Sequence, residues 1–185
     1  MKGILIFFIL LIFFFPSLTY ARKASLEDIK TSLKNNALFV SFKVKGCFTK
    51  KMIQAINNGV NTKFVFLIRL YKVRRFWKDR KIKELRIIHS IHYDAIKKMY
   101  ILKFSEKEDK IVCKSLDEAE DTISRVSNLK IIDTKELKRG EKYQIRIKAE
   151  LNKARFSFYL HRILFLLSLG GFDTGWYKLN FYYKK

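Results

Sequence analysis

Between residues 72 and 83 the chain gathers Arg74, Arg75, Phe76, Trp77, Lys78, Arg80, Lys81 and Lys83. A guanidinium is a rigid fork that bonds two oxygens of a phosphate or carboxylate at once. Trp77 beside it supplies an amphipathic face suited to stacking or to a membrane interface. The chemistry of this tract is therefore anion binding with an aromatic anchor, carried by Arg74, Arg75, Phe76, Trp77, Lys78 and Arg80. A second reading stays open, in which the tract is a hairpin turn, Trp77 folds back as a lid on the core, and the lysines are simply solvated.

Other chemistry-bearing residues point away from catalysis. His89 and His92 are three apart on a segment with strand periodicity, which sends their side chains to opposite faces, so they do not share a metal ion. His161 is remote in sequence, and no Cys or carboxylate cluster accompanies it. His89 is better read as a core-facing or edge histidine. There is no Gly-rich phosphate loop, no Gly-x-Ser-x-Gly, and no Cys with a matching His. Asp79, Asp94 and Asp173 fall at turns, where Asp bonds its own backbone. The expectation is a protein without enzymatic activity, metal or cofactor. An enzyme acting on envelope polymers would need paired carboxylates or a nucleophile cleft that these residues do not display. Cys47 and Cys113 are the only cysteines. They either pair, closing a loop worth roughly 4 kcal/mol in the chain-entropy picture, or stay as two separate buried thiols, the favoured arrangement.

The elements that must hold this tract are strands. Thr62, Phe64, Phe66, Ile68 and Leu70 line one apolar face at a period of two, and Leu85, Ile87, His89, Ile91 and Tyr93 repeat it. After a turn at Tyr93-Asp94-Ala95, Tyr100, Leu102 and Phe104 continue the pattern. The basic tract is thus the tip of a long hairpin. Ala37 to Lys45 is a further strand, ended by Gly46, and Ala24 to Ser32 is a poorly alternating first one. Thr49 and Gly59 bracket a short helix carrying Met52, Ala55 and Ile56. Lys110 to Lys114 is a short strand. Ser115-Leu116-Asp117-Glu118 is a capping box, and Leu116, Ala119, Ile123 and Val126 form a stripe that predicts a helix from Leu116 to about Ser127. A brief strand at Leu129 to Ile132 and a turn at Asp133 to Leu137 follow. Tyr143 to Leu151 alternates most cleanly of all. Phe156 to Leu169 is predicted as an apolar helix packed on the sheet, with an interfacial or partner-binding segment as the alternative. Trp176 to Tyr183 is a last strand. Short strands joined by hairpins predict a mainly β fold, an antiparallel, immunoglobulin-like β-sandwich with two or three short helices. The alternative is an α+β arrangement.

The ends and the charge bound where such a protein works. Met1-Lys2-Gly3, the uncharged run to Phe15, and Ser17-Leu18-Thr19-Tyr20-Ala21 have the three parts of a secretory signal. The 13-residue run from Gly3 to Phe15 is short for a ~30 Å hydrocarbon core. Residues 1–21 are therefore expected to be a cleaved signal peptide, with a retained anchor as the alternative, and residues 22–185 a single β-rich domain. The chain holds 39 Lys and Arg against 17 Asp and Glu, a formal net charge of +22. A basic protein is drawn to anionic surfaces. Export makes nucleic acid an unsuited partner and favours an anionic membrane surface, an envelope polymer or an acidic envelope protein. The alternative is that the charges are spread over solvated faces.

Several of these features together resemble an exported bacterial family of unknown function, the one numbered 4390 among such domains. They are the early strands to Val44, the helix ending at Gly59, the hairpin with Arg74-Arg75-Phe76-Trp77-Lys78-Asp79, and Tyr93-Asp94 before Tyr100. Ser115-Leu116-Asp117-Glu118-Ala119, Tyr143 in its strand and Thr174-Gly175-Trp176-Tyr177 near the end are similar too. The likeness spans nearly all of the chain after the signal. It implies a periplasmic cell-envelope protein, or one on the outer face of the inner membrane, with no assigned activity. It also implies a neighbourhood that includes a membrane histidine kinase, whose sensor domain is one candidate partner. Two departures stand out. Lys153-Ala154-Arg155-Phe156 replaces a Pro-rich approach to the last helix, and Phe76-Trp77 replaces a tryptophan pair, which puts the tip's role by analogy in doubt.

Overall fold

A computed structural model describes residues 24–151 and 171–184. The predicted signal peptide 1–21 and the predicted helix Phe156–Leu169 lie outside the described residues.

The described chain is mainly β, with two antiparallel sheets and two α-helices, the sandwich-like arrangement the alternation predicts. Strands β1 (Ser25–Lys34) and β2 (Ala37–Lys45) form a hairpin on Asn35-Asn36. Both turn residues have positive φ, 47° and 56°, which a two-residue turn of this twist demands and Asn tolerates. On its other side β2 pairs with β7 (Arg125–Asp133), completing the smaller sheet. The larger sheet runs β6 (Lys110–Cys113), β5 (Met99–Phe104), β4 (Arg80–Asp94), β3 (Thr62–Lys72), β8 (Lys142–Leu151) and β9 (Tyr177–Tyr182), each strand paired with the next.

Helix α1 (Lys50–Asn57) carries the chain from the small sheet to the large one. Thr49 Oγ1 accepts from the Met52 amide at 3.2 Å. At the other end the Gly59 amide donates to Ile56 and the Val60 amide to Ala55, both at 2.9 Å, a Schellman closure that needs the left-handed φ of +80° at Gly59.

Helix α2 (Leu116–Ile123) starts as expected, with Ser115 Oγ accepting from the Glu118 amide at 3.3 Å. The Glu118 carboxylate reaches back to the Lys114 amide at 3.2 Å. Its end departs from the sequence reading, which extends it to about Ser127. The Val44 amide takes the Ser124 carbonyl at 2.9 Å and Val126 pairs with Phe42, so β2 captures the chain as a strand from Arg125 onward. Ile123 and Val126 are both buried, and a spacing of three residues fits a helix face as well as a helix followed by a strand.

The inner faces of the two sheets make one core. Leu38, Val40, Phe42 and Val44 of β2 meet Phe64, Phe66, Ile68 and Leu70 of β3, with Phe42 and Phe66 ring centroids 5.8 Å apart. Tyr143, Ile145, Ile147 and Ala149 of β8 extend it. Because β3 lies between β4 and β8, the β3–β4 hairpin that carries the basic tract grows from the middle of the larger sheet.

Candidate functional site: a basic aromatic hairpin tip

The β3–β4 hairpin is long because all eleven residues of β3 pair with β4, from Thr62–Ile91 to Lys72–Arg80. The loop beyond that last pair holds the predicted tract. Phe76 and Trp77 are 84% and 79% exposed, so Trp77 does not close over the core. Arg74, Arg75 and Lys78 are exposed beside them, and Arg80, also exposed, opens β4. The Arg75 guanidinium lies 5.5 Å from the centre of the Phe76 ring. All six residues named from the sequence thus stand together on one projection, with apolar rings and cations presented to the same solvent.

The root of this projection is held by contacts that the sequence does not announce, among them one made by Asp79, which is expected from the sequence to bond its own turn. Asp79 is bound by Arg146 of β8 at 2.6 Å, and the Arg146 guanidinium sits 4.0 Å over the Tyr71 ring while its Nε donates to Gln144 Oε1 at 2.5 Å. Lys72 bonds Glu141 at 2.7 Å, and the Val73 amide donates to the Lys142 carbonyl at 2.9 Å. One turn of sheet further in, Arg69 bonds Glu84 at 2.9 Å and stacks 4.5 Å over Trp176. Hydrogen bonds from Lys81 and Arg69 hold the Glu84 carboxyl below its ordinary range. Alternation alone places Arg69 and Tyr71 on one face of β3. Pairing them with Arg146 requires the β3–β8 register, which is a long-range property.

The remaining candidates sit elsewhere and do other work. His89 is fully buried, 2.7 Å from the Ile123 carbonyl oxygen through Nδ1 and 2.7 Å from Glu106 Oε1 through Nε2. His92 is exposed. Among the described residues no group of three or more His, Cys, Asp or Glu is arranged to hold a metal ion. Asp94 accepts from the Ile96 and Lys97 amides, both at 3.0 Å, a turn role, and Asp173 accepts from the Gly175 amide at 2.7 Å in its own turn while also bonding Lys148 of β8 at 2.7 Å. Asp79 differs, since its partner is Arg146 rather than its own loop. Cys47 and Cys113 are two separate buried thiols, not a disulfide. The Cys47 Sγ rests 3.8 Å from the Val44 carbonyl and Cys113 ends β6 against α2, so different local structure packs each.

At the same end of the sandwich as the tip, a cleft of about 550 Å³ opens between Asn36, Asp133, Thr134, Lys135, Arg139 and Tyr183. Lys130 bonds Asp133 at 2.9 Å and holds its carboxyl low, which leaves Lys135 and Arg139 to set the sign of the cleft. The end of the molecule is therefore basic both on the projection and below it. No helix among the described residues is long and apolar enough to cross a membrane. Residues 21–180 match a family model described as a domain of unknown function, DUF4390. No curated protein and no solved structure matches the chain.

Proposed function

The chain belongs to the DUF4390 family, and we propose that it is an exported, non-enzymatic envelope protein that docks an acidic partner through the β3–β4 hairpin tip. The observation that carries this reading is the exposure of Phe76 and Trp77 among Arg74, Arg75 and Lys78 on a braced hairpin. Exposed aromatic rings beside guanidinium groups are the residue types that dominate binding at protein interfaces. A root fixed by Asp79–Arg146 and Lys72–Glu141 lowers the ordering cost of using them. The partner of this reading is an envelope protein, with the sensor domain of a membrane histidine kinase as one form of it.

A second reading is favoured by the same two rings. Trp and Phe at the apex of a cationic loop also suit the headgroup layer of an anionic membrane. The experiment places a photo-crosslinking residue at the tip, Phe76→p-benzoylphenylalanine, in the source cell. A discrete protein adduct that disappears with Arg74→Glu/Arg75→Glu supports the first reading. Adducts with lipid alone, together with salt-sensitive flotation on anionic but not neutral vesicles, move the second ahead. Wild-type binding by the double variant removes the tip from both.

A further inference from the structure

We propose that the open edge of β4, from Arg80 to Ile87, receives an extended acidic peptide segment of the partner as an added strand. This deepens the partner-docking reading and rests on it. Strand β4 is paired with β3 from Arg80 to Ile91 apart from the bulged Ile82, whereas β5 covers only His89 to Asp94. The last contact on the β5 side is at Ile88, whose amide donates to Ser105 Oγ at 2.8 Å and whose carbonyl accepts from the Ser105 amide at 2.9 Å. Backbone groups of an antiparallel strand alternate between its two neighbours. Since Ile88 faces away from β3, Arg86 and Glu84 also turn their amides and carbonyls away from β3. Among the described residues no strand pairs with that side.

An unpaired edge is a template for strand addition, and the side chains along it decide what adds. Arg80, Lys81, Lys83 and Arg86 are exposed here. The single acid, Glu84, is already bound by Arg69 and Lys81. A second copy of this edge would set cations against cations, which destabilises a strand pair. A strand carrying Glu or Asp would meet them with opposite charge, and Arg74, Arg75 and Lys78 continue the basic surface past its end. The register shift between Leu70 and Tyr71, where β4 has one extra residue at Ile82, falls inside this edge and interrupts regular pairing there, so the added strand's regular register runs over Lys83 to Ile87 and Arg80 and Lys81 lie past the bulge.

The test is amide exchange by NMR on the protein, alone and with a synthetic peptide of alternating Glu and Val. Free protein should exchange Glu84 and Arg86 quickly and Leu85 and Ile87, which face β3, slowly. The peptide should slow Glu84 and Arg86 by about tenfold or more, and a Lys and Val counterpart should not. Arg86→Pro deletes a donor on the open side and should abolish the effect, while Arg86→Gln, which keeps the amide, should retain it in weaker form. The same peptide N-methylated at alternate residues tests the backbone bonds without altering the protein, and should fail. Protection of Glu84 and Arg86 in the free protein, or peptide binding that leaves them unprotected, overturns the proposal. So does undiminished binding of the methylated peptide. Loss of the Phe76 adduct with these protections intact would sink the tip reading alone; an adduct without them would sink the edge alone.

Discussion

His89 presents a ring nitrogen to an acceptor on each side, the Ile123 carbonyl oxygen and the Glu106 carboxylate, both at 2.7 Å. The ring is closed in between Phe66 and Phe104, with centroids 4.6 Å away on either side. Two acceptors around one imidazole require a proton on both nitrogens or on the carboxyl, so the pair holds a proton that water does not reach from the His89 side. The contact ties the middle of β4 to the end of α2 and to the turn after β5. Burial by itself raises the Glu106 carboxyl, but the bond and charge of His89 outweigh it, and the net position is below the ordinary range.

A lowered carboxyl contributes stability that is present above its ordinary pKa and is lost as pH falls through the lowered one. Glu106→Gln keeps a hydrogen bond to the ring without the charge. It should be less stable than wild type near neutrality by about 1–2 kcal/mol, and the gap should close on acidification below about pH 4. Urea unfolding at stepped pH reads both. A gap that stays constant into acid would mean that Glu106 is not the ionised partner of His89.

Asp79→Ala removes the carboxylate that holds the hairpin root to Arg146. Both side chains of that pair are 25% exposed, and Arg146 keeps Gln144 and Tyr71, so the cost to global stability should be only about 1 kcal/mol. The local effect should be larger. In a Trp176→Phe background, the fluorescence anisotropy of Trp77 should fall while the unfolding midpoint moves little. Unchanged anisotropy would show that the tip is braced by Lys72–Glu141 and the Val73 amide alone.

Much of this was visible in residue order, because a period of two is a local property. Thr62 to Leu70, Ala37 to Lys45 and Tyr143 to Leu151 alternate on the chain as they do in the sheets, and the basic tip was legible as composition between two such runs. What bound the tip was not. Asp79 meets Arg146 across the β3–β8 register, and His89 meets Glu106, one of three acids in its turn, only once β5 folds back on β4. The end of α2 was hidden for the same reason. Nothing near Ser124 says that β2 will take its carbonyl, so a helical stripe ran on through Val126.

Cys47 should be chemically silent in the folded protein. Burial, helped by the Glu120 charge, pushes its thiol from 9.0 to about 12, and burial and Glu118 raise Cys113 as well. Thiolate is the reactive form. Ellman's reagent at about pH 8 should therefore leave the native protein unmodified over the time in which the unfolded chain reacts at both cysteines. A raised thiol holds its stability contribution below the unfolded pKa and loses it as pH climbs toward the folded one. Alkaline loss of stability should accordingly be shallower in Cys47→Ala than in wild type. Rapid modification of the native protein at either site would contradict the burial.

Gly59 separates two costs that usually arrive together. A Cβ built there meets nothing within 4 Å, so no neighbour has to move, yet the residue sits at φ +80° to close α1. Only the backbone penalty is left, about 1–2 kcal/mol for an L-residue in the left-handed region. Gly59→Ala should lose that amount by urea unfolding. Gly59→Asn should lose less, because Asn enters that region more readily. Equal losses in the two variants would point instead to a side-chain contact, and a loss near zero would mean that the bonds from the Gly59 and Val60 amides do not hold the helix end in solution. Because α1 leads into the first residue of β3, fraying at Gly59 should show in the exchange of Thr62 before it shows at the hairpin tip, at the far end of the same strand.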